Sequence, residues 1–117
     1  MDERLRKRAA VQAVFTRGER FSDRRLVLLV LAGETGRRRC AFAAGKKIGN
    51  AVQRNRARRR MREAYRQARG EFLVGCDLVL LARQDAREGS FAELREGLGR
   101  LMQKAQAARS RASQSSS

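Results

Sequence analysis

The chain has 117 residues, the length of a single domain, and 28 Lys and Arg against 12 Asp and Glu give it a formal net charge of +16. Self-repulsion on this scale disfavours the folded state until a polyanion neutralises it, which predicts a nucleic-acid partner. The chain has no histidine, the usual general base and the commonest metal ligand, so we expect no catalytic residue and no cofactor bound by the protein.

The first predicted element is a short helix. Within residues 5–17, the apolar side chains of Val11, Val14 and Phe15 recur at helical spacing. Gly18 follows directly, and glycine is the residue that most often ends a helix. The spacing therefore predicts a helix that buries one face and ends at this glycine.

Two apolar runs follow, which predict two strands. Residues 26–32 read LVLLVLA, and residues 39–44 read RCAFAA. Residues 33–36, GETG, lie between them and have the composition of a turn. The pattern predicts a hairpin, with its unbroken apolar first strand near the middle of a sheet.

A long basic helix is predicted next. A basic loop at residues 45–49 leads to Asn50, whose side chain can cap a helix, and Gln53 stands three residues later as in a capping box. The helix is expected to run to about Arg69. Gly70 then occupies the usual position of a C-cap.

The last third of the chain predicts a strand, a helix and a tail. Residues 76–82, CDLVLLA, read as another buried strand, and Ser90 with Glu93 forms a second capping box. Residues 109–117 are too polar to pack and predict a disordered tail after a domain at 1–108. An apolar stripe marks the third helix: Phe91, Leu94, Leu98, Leu101, Met102 and Ala105.

The basic helix is amphipathic when its residues are placed at about 100° intervals. Its apolar arc consists of Ala57, Met61, Ala64, Tyr65 and Ala68. Its polar arc consists of Asn55, Arg58, Arg59, Arg62, Arg66 and Arg69. Residues 46–69 carry a net charge of +9, with Glu63 as the only carboxylate. Solvated faces usually alternate charges of both signs, so this arc favours a polyanion over plain solvent.

Membrane binding and secretion are disfavoured. The alanine-rich arc lacks the Trp, Phe and Leu that insert into a membrane interface, and the run at 26–32 is too short to span a bilayer. Cys40 and Cys76 lie in separate apolar runs with no zinc spacing, which favours reduced thiols in the core. The first residues also lack the apolar stretch of a signal peptide. We expect a cytoplasmic protein.

Residues 46–66 read KKIGNAVQRNRARRRMREAYR and resemble the signature of the bacterial ribonuclease P protein. That signature is a KK-x-GNAV-x-RNR run followed by a basic helix that ends near REA and an aromatic residue. Weaker matches extend the resemblance over about residues 4–104. It implies an α/β (α+β) sandwich with a four-stranded sheet, in the order α-β-β-(β)-α-β-α, whose strand–helix–strand crossover is left-handed.

The resemblance also implies a function. The ribonuclease P ribonucleoprotein removes the 5′ leader of precursor tRNA by metal-assisted hydrolysis, and its RNA subunit holds the magnesium. The protein subunit would bind that RNA and the leader and broaden substrate specificity. A ribosomal or assembly protein that binds ribosomal RNA is the main alternative, which the signature disfavours. A DNA-coating protein is a third class, although DNA is not the expected partner.

Two candidate surfaces follow from this role. The candidate contacts to the catalytic RNA subunit are Lys46, Lys47, Arg54, Asn55, Arg56, Arg59 and Arg60. The candidate contacts to the leader, in one cleft between the first helix, the sheet and the inner arginines, are Val11, Phe15, Leu29, Asn55, Arg58 and Arg62. Val11 and Leu29 stand where the family commonly has aromatic residues, so Phe15 is the main ring. Whether Phe15 packs in the core or stacks on RNA is open at this point.

Overall fold

The computed structural model describes residues 2–33, 36–68, 70, 72–87 and 89–115. It has the α+β architecture that the sequence predicts. The elements in chain order are β1 (Asp2–Arg4), α1 (Arg8–Arg17), β2 (Glu19–Ser22), β3 (Leu26–Ala32), β4 (Arg38–Ala44), a 3₁₀ turn (Lys46–Ile48), α2 (Ala51–Ala68), β5 (Cys76–Ala82), a second 3₁₀ turn (Gln84–Arg87) and α3 (Phe91–Ser115).

The five strands form one mixed sheet in the order β1-β4-β5-β3-β2. The central strand β5 pairs antiparallel with β3, where Leu80 lies opposite Leu28. On its other edge β5 pairs parallel with β4, where Leu80 lies opposite Phe42. The strand–helix–strand crossover that the resemblance implies is therefore β4–α2–β5.

The predicted hairpin is wrong, because β5 lies between β3 and β4. Both β3 and β4 are apolar enough to be buried on both faces, and an apolar run does not specify which other strand it pairs with. The expected order of elements is present, because three strands, β2, β3 and β4, lie between α1 and α2. The sequence did not indicate β2, in which Phe21 is the only apolar residue, and the three-residue edge strand β1 adds a fifth strand to the expected four.

Alternate side chains of the sheet pack into two cores. Leu28 of β3 and Leu80 of β5 belong to the larger core, which α2 and α3 cover. Val27, Leu29 and Val79 point to the other side and pack against α1. We call these the α2/α3 face and the α1 face. The sheet thus separates α1 from the arginine-rich helix.

The first helix is shorter than predicted. Leu5 is buried, and its backbone N–H donates to the carbonyl of Cys40 at 2.9 Å, so this residue extends the strand pairing of β1. Gly18 ends α1 as predicted, although its φ of −71° is not left-handed. A Cβ at Gly18 would lie 2.4 Å from the carbonyl oxygen of Val14, so close packing explains the glycine.

Both predicted capping boxes are present. The backbone N–H of Gln53 donates to Asn50 Oδ1 at 2.9 Å, and that of Asn50 donates to Gln53 Oε1 at 2.9 Å. At the start of α3, the N–H of Glu93 donates to Ser90 Oγ at 3.1 Å. The reciprocal N–H of Ser90 lies 3.4 Å from Glu93 Oε1. These reciprocal bonds fix where each helix begins.

The C-terminal segment differs from the predicted disordered tail, because α3 continues without interruption to Ser115. Its apolar stripe is buried as predicted from Leu94 onward, Phe91 is half-buried, and Ala105 is the last fully buried member. Beyond it, helix formers such as alanine, arginine and glutamine can extend the backbone hydrogen bonding without burying a face. Residues 116 and 117 of the predicted tail lie outside the described residues.

Candidate nucleic-acid interface

The basic helix α2 buries the arc that the sequence predicts. Met61, Ala64 and Tyr65 are buried against the sheet and α3. Arg59 and Arg62 are exposed on the other side. Arg69, the last predicted member of the arginine arc, lies outside the described residues. The described part of α2 thus presents a cationic surface whose position is fixed by its buried side.

An outer groove of about 490 Å³ runs along the exposed side of α2. Within it, Asn55 Oδ1 accepts a hydrogen bond from Arg58 Nη2 at 2.9 Å. The guanidinium of Arg62 lies 5.7 Å from the ring centre of Phe42, within cation–π range. The groove is lined by Val52, Asn55, Arg58, Arg59 and Arg62.

A second groove, of about 500 Å³, separates α2 from the start of α3, and we call it the interhelix groove. Arg60 Nη1 donates to the carbonyl of Ala86 at 3.3 Å, which ties α2 to the second 3₁₀ turn. The groove is lined by Gln53, Arg56, Ala57, Arg60, Ala86, Gly89 and Phe91.

A third groove, of about 600 Å³, lies on the α1 face, where Val27 and Leu81 contribute apolar surface. We call it the α1-face groove. Its basic lining residues are Arg20, Lys46, Lys47 and Arg83. Sequence reasoning missed Arg20, which lies in the unrecognised strand β2. It also missed Arg83, although this arginine directly follows the apolar run of β5.

The predicted RNA-subunit contacts are divided among these grooves. Asn55 and Arg59 line the outer groove, and Arg56 and Arg60 line the interhelix groove. Lys46 and Lys47 line the α1-face groove. Arg54 is half-buried and lines none of the three.

The predicted leader contacts do not form one cleft. Phe15 is 43% exposed and Val11 is half-buried, and both lie on α1. Leu29 is only 6% exposed, because α1 covers this part of the sheet, so it is a core residue and not a surface contact. Arg58 and Arg62 belong to α2, on the opposite face. Two separate surfaces replace the single predicted cleft.

Two arginines of the run at residues 37–39 have structural roles, which the sequence alone does not indicate. Arg38 is 6% exposed, and its guanidinium donates to the carbonyl of Phe72 and lies 5.6 Å from the ring centre of Tyr65. Arg39 forms a two-pronged ion pair with the buried Asp77, at 2.8 and 2.7 Å. These two arginines stabilise the fold.

Glu63 and Cys76 are among the described groups whose pKa departs from its ordinary value. Hydrogen bonds from Arg66 and then Gln67 lower the pKa of the exposed Glu63 to about 2. Burial raises the pKa of the Cys76 thiol, and both Cys76 and Cys40 are buried, as the sequence predicts. A low fraction of thiolate makes Cys76 a weak nucleophile and metal ligand.

Among the described residues there is neither a cluster of metal-ligating side chains nor a membrane-spanning helix. In that part of the chain, no three Cys, Asp or Glu side chains lie close enough to hold a metal ion. None of the described helices is both long and apolar enough to cross a bilayer. The chemistry that this surface offers is cationic contact, stacking and hydrogen bonding.

Comparison with known proteins identifies the family. A family model described as Ribonuclease P matches residues 1–106. The chain belongs to the ribonuclease P protein family. A ribonuclease P protein component from Gluconacetobacter diazotrophicus is 45% identical over 104 residues, which cover 87% of this chain and 90% of that protein. One from Shouchella clausii is 39% identical over 105 residues, covering 89% and 86%.

Solved structures of the family agree with this membership. The ribonuclease P protein from Thermotoga maritima superimposes with a TM-score of 0.77 at 27% identity, covering 87% of this chain and 96% of that one. The protein from Staphylococcus aureus gives 0.75 at 26% identity, covering 87% and 94%. The function implied by the signature, the protein component of ribonuclease P, is confirmed, and the ribosomal alternative is not favoured.

Proposed function

We propose that this ribonuclease P protein binds the catalytic RNA subunit through α2 and holds the 5′ leader of precursor tRNA on its α1 face. The RNA subunit carries the chemistry of leader removal and holds the magnesium ions. The protein supplies affinity and broadens substrate specificity, and it works in the cytoplasm. It needs neither DNA nor a membrane as a partner.

The exposed arginine arc of α2 is the observation that carries this proposal. Residues 46–69 have a net charge of +9, and the one carboxylate among them, Glu63, already pairs with Arg66. The arginines that line the outer groove, Arg58, Arg59 and Arg62, are therefore available to neutralise phosphates. Side chains cannot read the deep major groove of A-form RNA, so contact through backbone and shape is the expected mode.

The α1 face offers what a single-stranded leader requires. Lys46, Lys47 and Arg83 surround the α1-face groove and can follow a phosphate backbone. Phe15 is exposed and is absent from the core beneath α1, which favours stacking on a base over packing. We therefore assign Lys46 and Lys47 to the leader as well as to the RNA subunit. Arg58 and Arg62, which lie on α2, are assigned to the RNA subunit.

Substitutions of Phe15 and Leu29 test this leader assignment. Phe15→Ala should weaken the holoenzyme's affinity for precursor tRNA by about 1–3 kcal/mol, the usual loss for one stacked base, and leave mature tRNA binding unchanged. Leu29→Ala removes a buried side chain and should instead cost the protein about 2–5 kcal/mol of stability. Melting temperatures and affinities for both RNAs separate the two. Equal loss for both RNAs with Phe15→Ala would show that the leader lies elsewhere.

Reconstitution tests the division of labour. The purified protein, treated with nuclease and repurified, should leave precursor tRNA intact. Addition of the transcribed RNA subunit should give cleavage at the mature 5′ end, at a lower magnesium concentration than the RNA alone requires. Cleavage by the RNA-free protein would overturn the proposal, as would an RNA subunit whose activity the protein does not change.

A further inference from the structure

The interhelix groove combines an aromatic ring, guanidinium groups and an amide in one place. Phe91 begins α3, and its half-buried ring packs against the larger core while also lining the groove. Arg56 and Arg60 lie one helical turn apart on α2 and line the opposite wall. The volume of about 500 Å³ lies within the range of sites for small molecules, which is about 300–1,000 Å³.

The walls of the groove are tied to each other and to neighbouring residues by defined contacts. Arg60 donates one hydrogen bond to the carbonyl of Ala86, and a guanidinium has further N–H donors available. Gly89 has a φ of +87°, and a Cβ there would lie 2.6 Å from Arg25 Nη2. The backbone of this wall is therefore adapted to a residue without a side chain. Gln53 Oε1 accepts a hydrogen bond from the backbone N–H of Asn50, and this bond fixes the amide at the edge of the groove.

Neither arginine is neutralised within the part of the chain that the structure describes. Among the described ion pairs near α2, Glu63 pairs with Arg66, Asp85 with Arg24 and Glu93 with Arg25, and none includes Arg56 or Arg60. A ligand that suits this groove carries negative charge for the arginines, a flat ring for Phe91 and a hydrogen-bonding edge for Gln53. A nucleotide has all three.

We propose that the interhelix groove binds one unpaired nucleotide of the catalytic RNA subunit. Its phosphate lies between Arg56 and Arg60, its base stacks on Phe91, and the amide of Gln53 contacts the edge of the base. This assignment rests on the proposed function and adds to it a recognised nucleotide. Contact with one splayed base gives this interface sequence information, which backbone contacts alone do not carry.

Two variants test the groove without changing its charge. Phe91→Leu removes the ring, and Ala57→Leu fills the groove from the α2 side. Each should weaken the complex with the RNA subunit by about tenfold, a typical value for one lost stack. Phe91→Leu should leave the salt dependence unchanged, because the phosphate contact remains, whereas Ala57→Leu should lessen the log–log slope by about 0.7–0.9. Phe91→Tyr keeps a ring and should bind like the wild type. Ala107→Leu, at an exposed position of α3 away from the groove, is the matched control.

Chemical probing of the RNA measures base protection, which would not change if Phe91 had only a structural role in the protein. One unpaired base should be protected by the wild type and by Phe91→Tyr, and become reactive with Phe91→Leu and Ala57→Leu. Backbone protections elsewhere should persist, and melting temperatures identify any variant that fails to fold. Protection that is the same with folded Ala57→Leu as with wild type would overturn the groove proposal. Failure of the wild type to bind the RNA subunit would instead overturn the proposed function itself.

Discussion

Arg38 and Arg59 are the same residue type in opposite surroundings. Arg38, at the start of β4, is buried, donates to the carbonyl of Phe72 and lies against the ring of Tyr65. Arg59, on α2, is exposed and lines the outer groove. Both come from runs of three consecutive arginines in the sequence, at 37–39 and 58–60.

The contrast shows that an arginine run does not by itself mark an RNA-binding surface. A buried guanidinium loses its water and must be offset by protein acceptors and π-faces, so it stabilises one particular fold. An exposed guanidinium without a carboxylate partner keeps its charge for phosphate. Arg38 should therefore matter for stability, and Arg59 should matter for RNA.

The largest expected effect is that of Arg38→Met, which keeps an unbranched side chain beside Tyr65 but removes the guanidinium and all its donors. The carbonyls of Gly70 and Phe72 lose their charged partner, so the free energy of unfolding should fall by about 3 kcal/mol. Urea denaturation measures this change. The RNA affinity of the remaining folded protein should not change. A lower salt dependence of RNA binding would show that Arg38 also contacts RNA.

The next effect is that of Arg59→Ala on the salt dependence of RNA binding. Loss of one phosphate contact should lessen the log–log slope by about 0.7–0.9, with the denaturation midpoint unaltered. Dissociation constants at several salt concentrations give the slope. An unaltered slope would remove Arg59 from the contact surface and leave the outer groove without its expected role.

Arg66→Ala should change the slope less than Arg59→Ala, because Glu63 already neutralises Arg66. Arg66 Nε donates to Glu63 Oε2 at 3.0 Å, on the exposed side of α2. Glu63→Gln should have the opposite sign and increase the slope, since it frees Arg66 for phosphate. Equal slopes for the two alanine variants would show that the ion pair opens when RNA binds.

The smallest expected effect is a pH dependence at Glu63. Hydrogen bonds from Arg66 and Gln67 hold its pKa at about 2, below the ordinary value of 4.5. A lowered folded-state pKa gives stability that is present above about pH 4.5 and is lost as the pH falls towards 2. Carbon NMR titration should show the pKa rising in Arg66→Gln, while Gln67 keeps it below the ordinary value. An unchanged pKa would contradict the assigned cause.

Local signals in the sequence predicted the individual elements well. The apolar runs of β3 and β5 have their predicted bounds, and the caps at Asn50 and Ser90 mark the true starts of α2 and α3. These features depend on residues a few positions apart. The burial of Met61 and Tyr65 on α2 follows from helical spacing in the same way.

Features that depend on distant residues were not predicted. The pairing of β3 with β5 joins Leu26 to Ala82, and no local pattern distinguishes this from pairing with β4. Leu29 was expected on a surface because its burial depends on where α1 crosses the sheet. The separation of Arg56 and Arg59 into different grooves depends likewise on the position of α3.

The central position of β5 has a consequence for how the domain is made during translation. The strands β3 and β4 are synthesised first but do not pair with each other. They are joined into one sheet only when β5, Cys76–Ala82, lies between them. A nascent chain that ends at α2 therefore has the arginine-rich helix but lacks the strand that joins the two halves of the sheet. Long-range pairing of this kind slows folding, because loop closure precedes any gain from contacts. The cationic helix consequently leaves the ribosome before the scaffold that orients it exists.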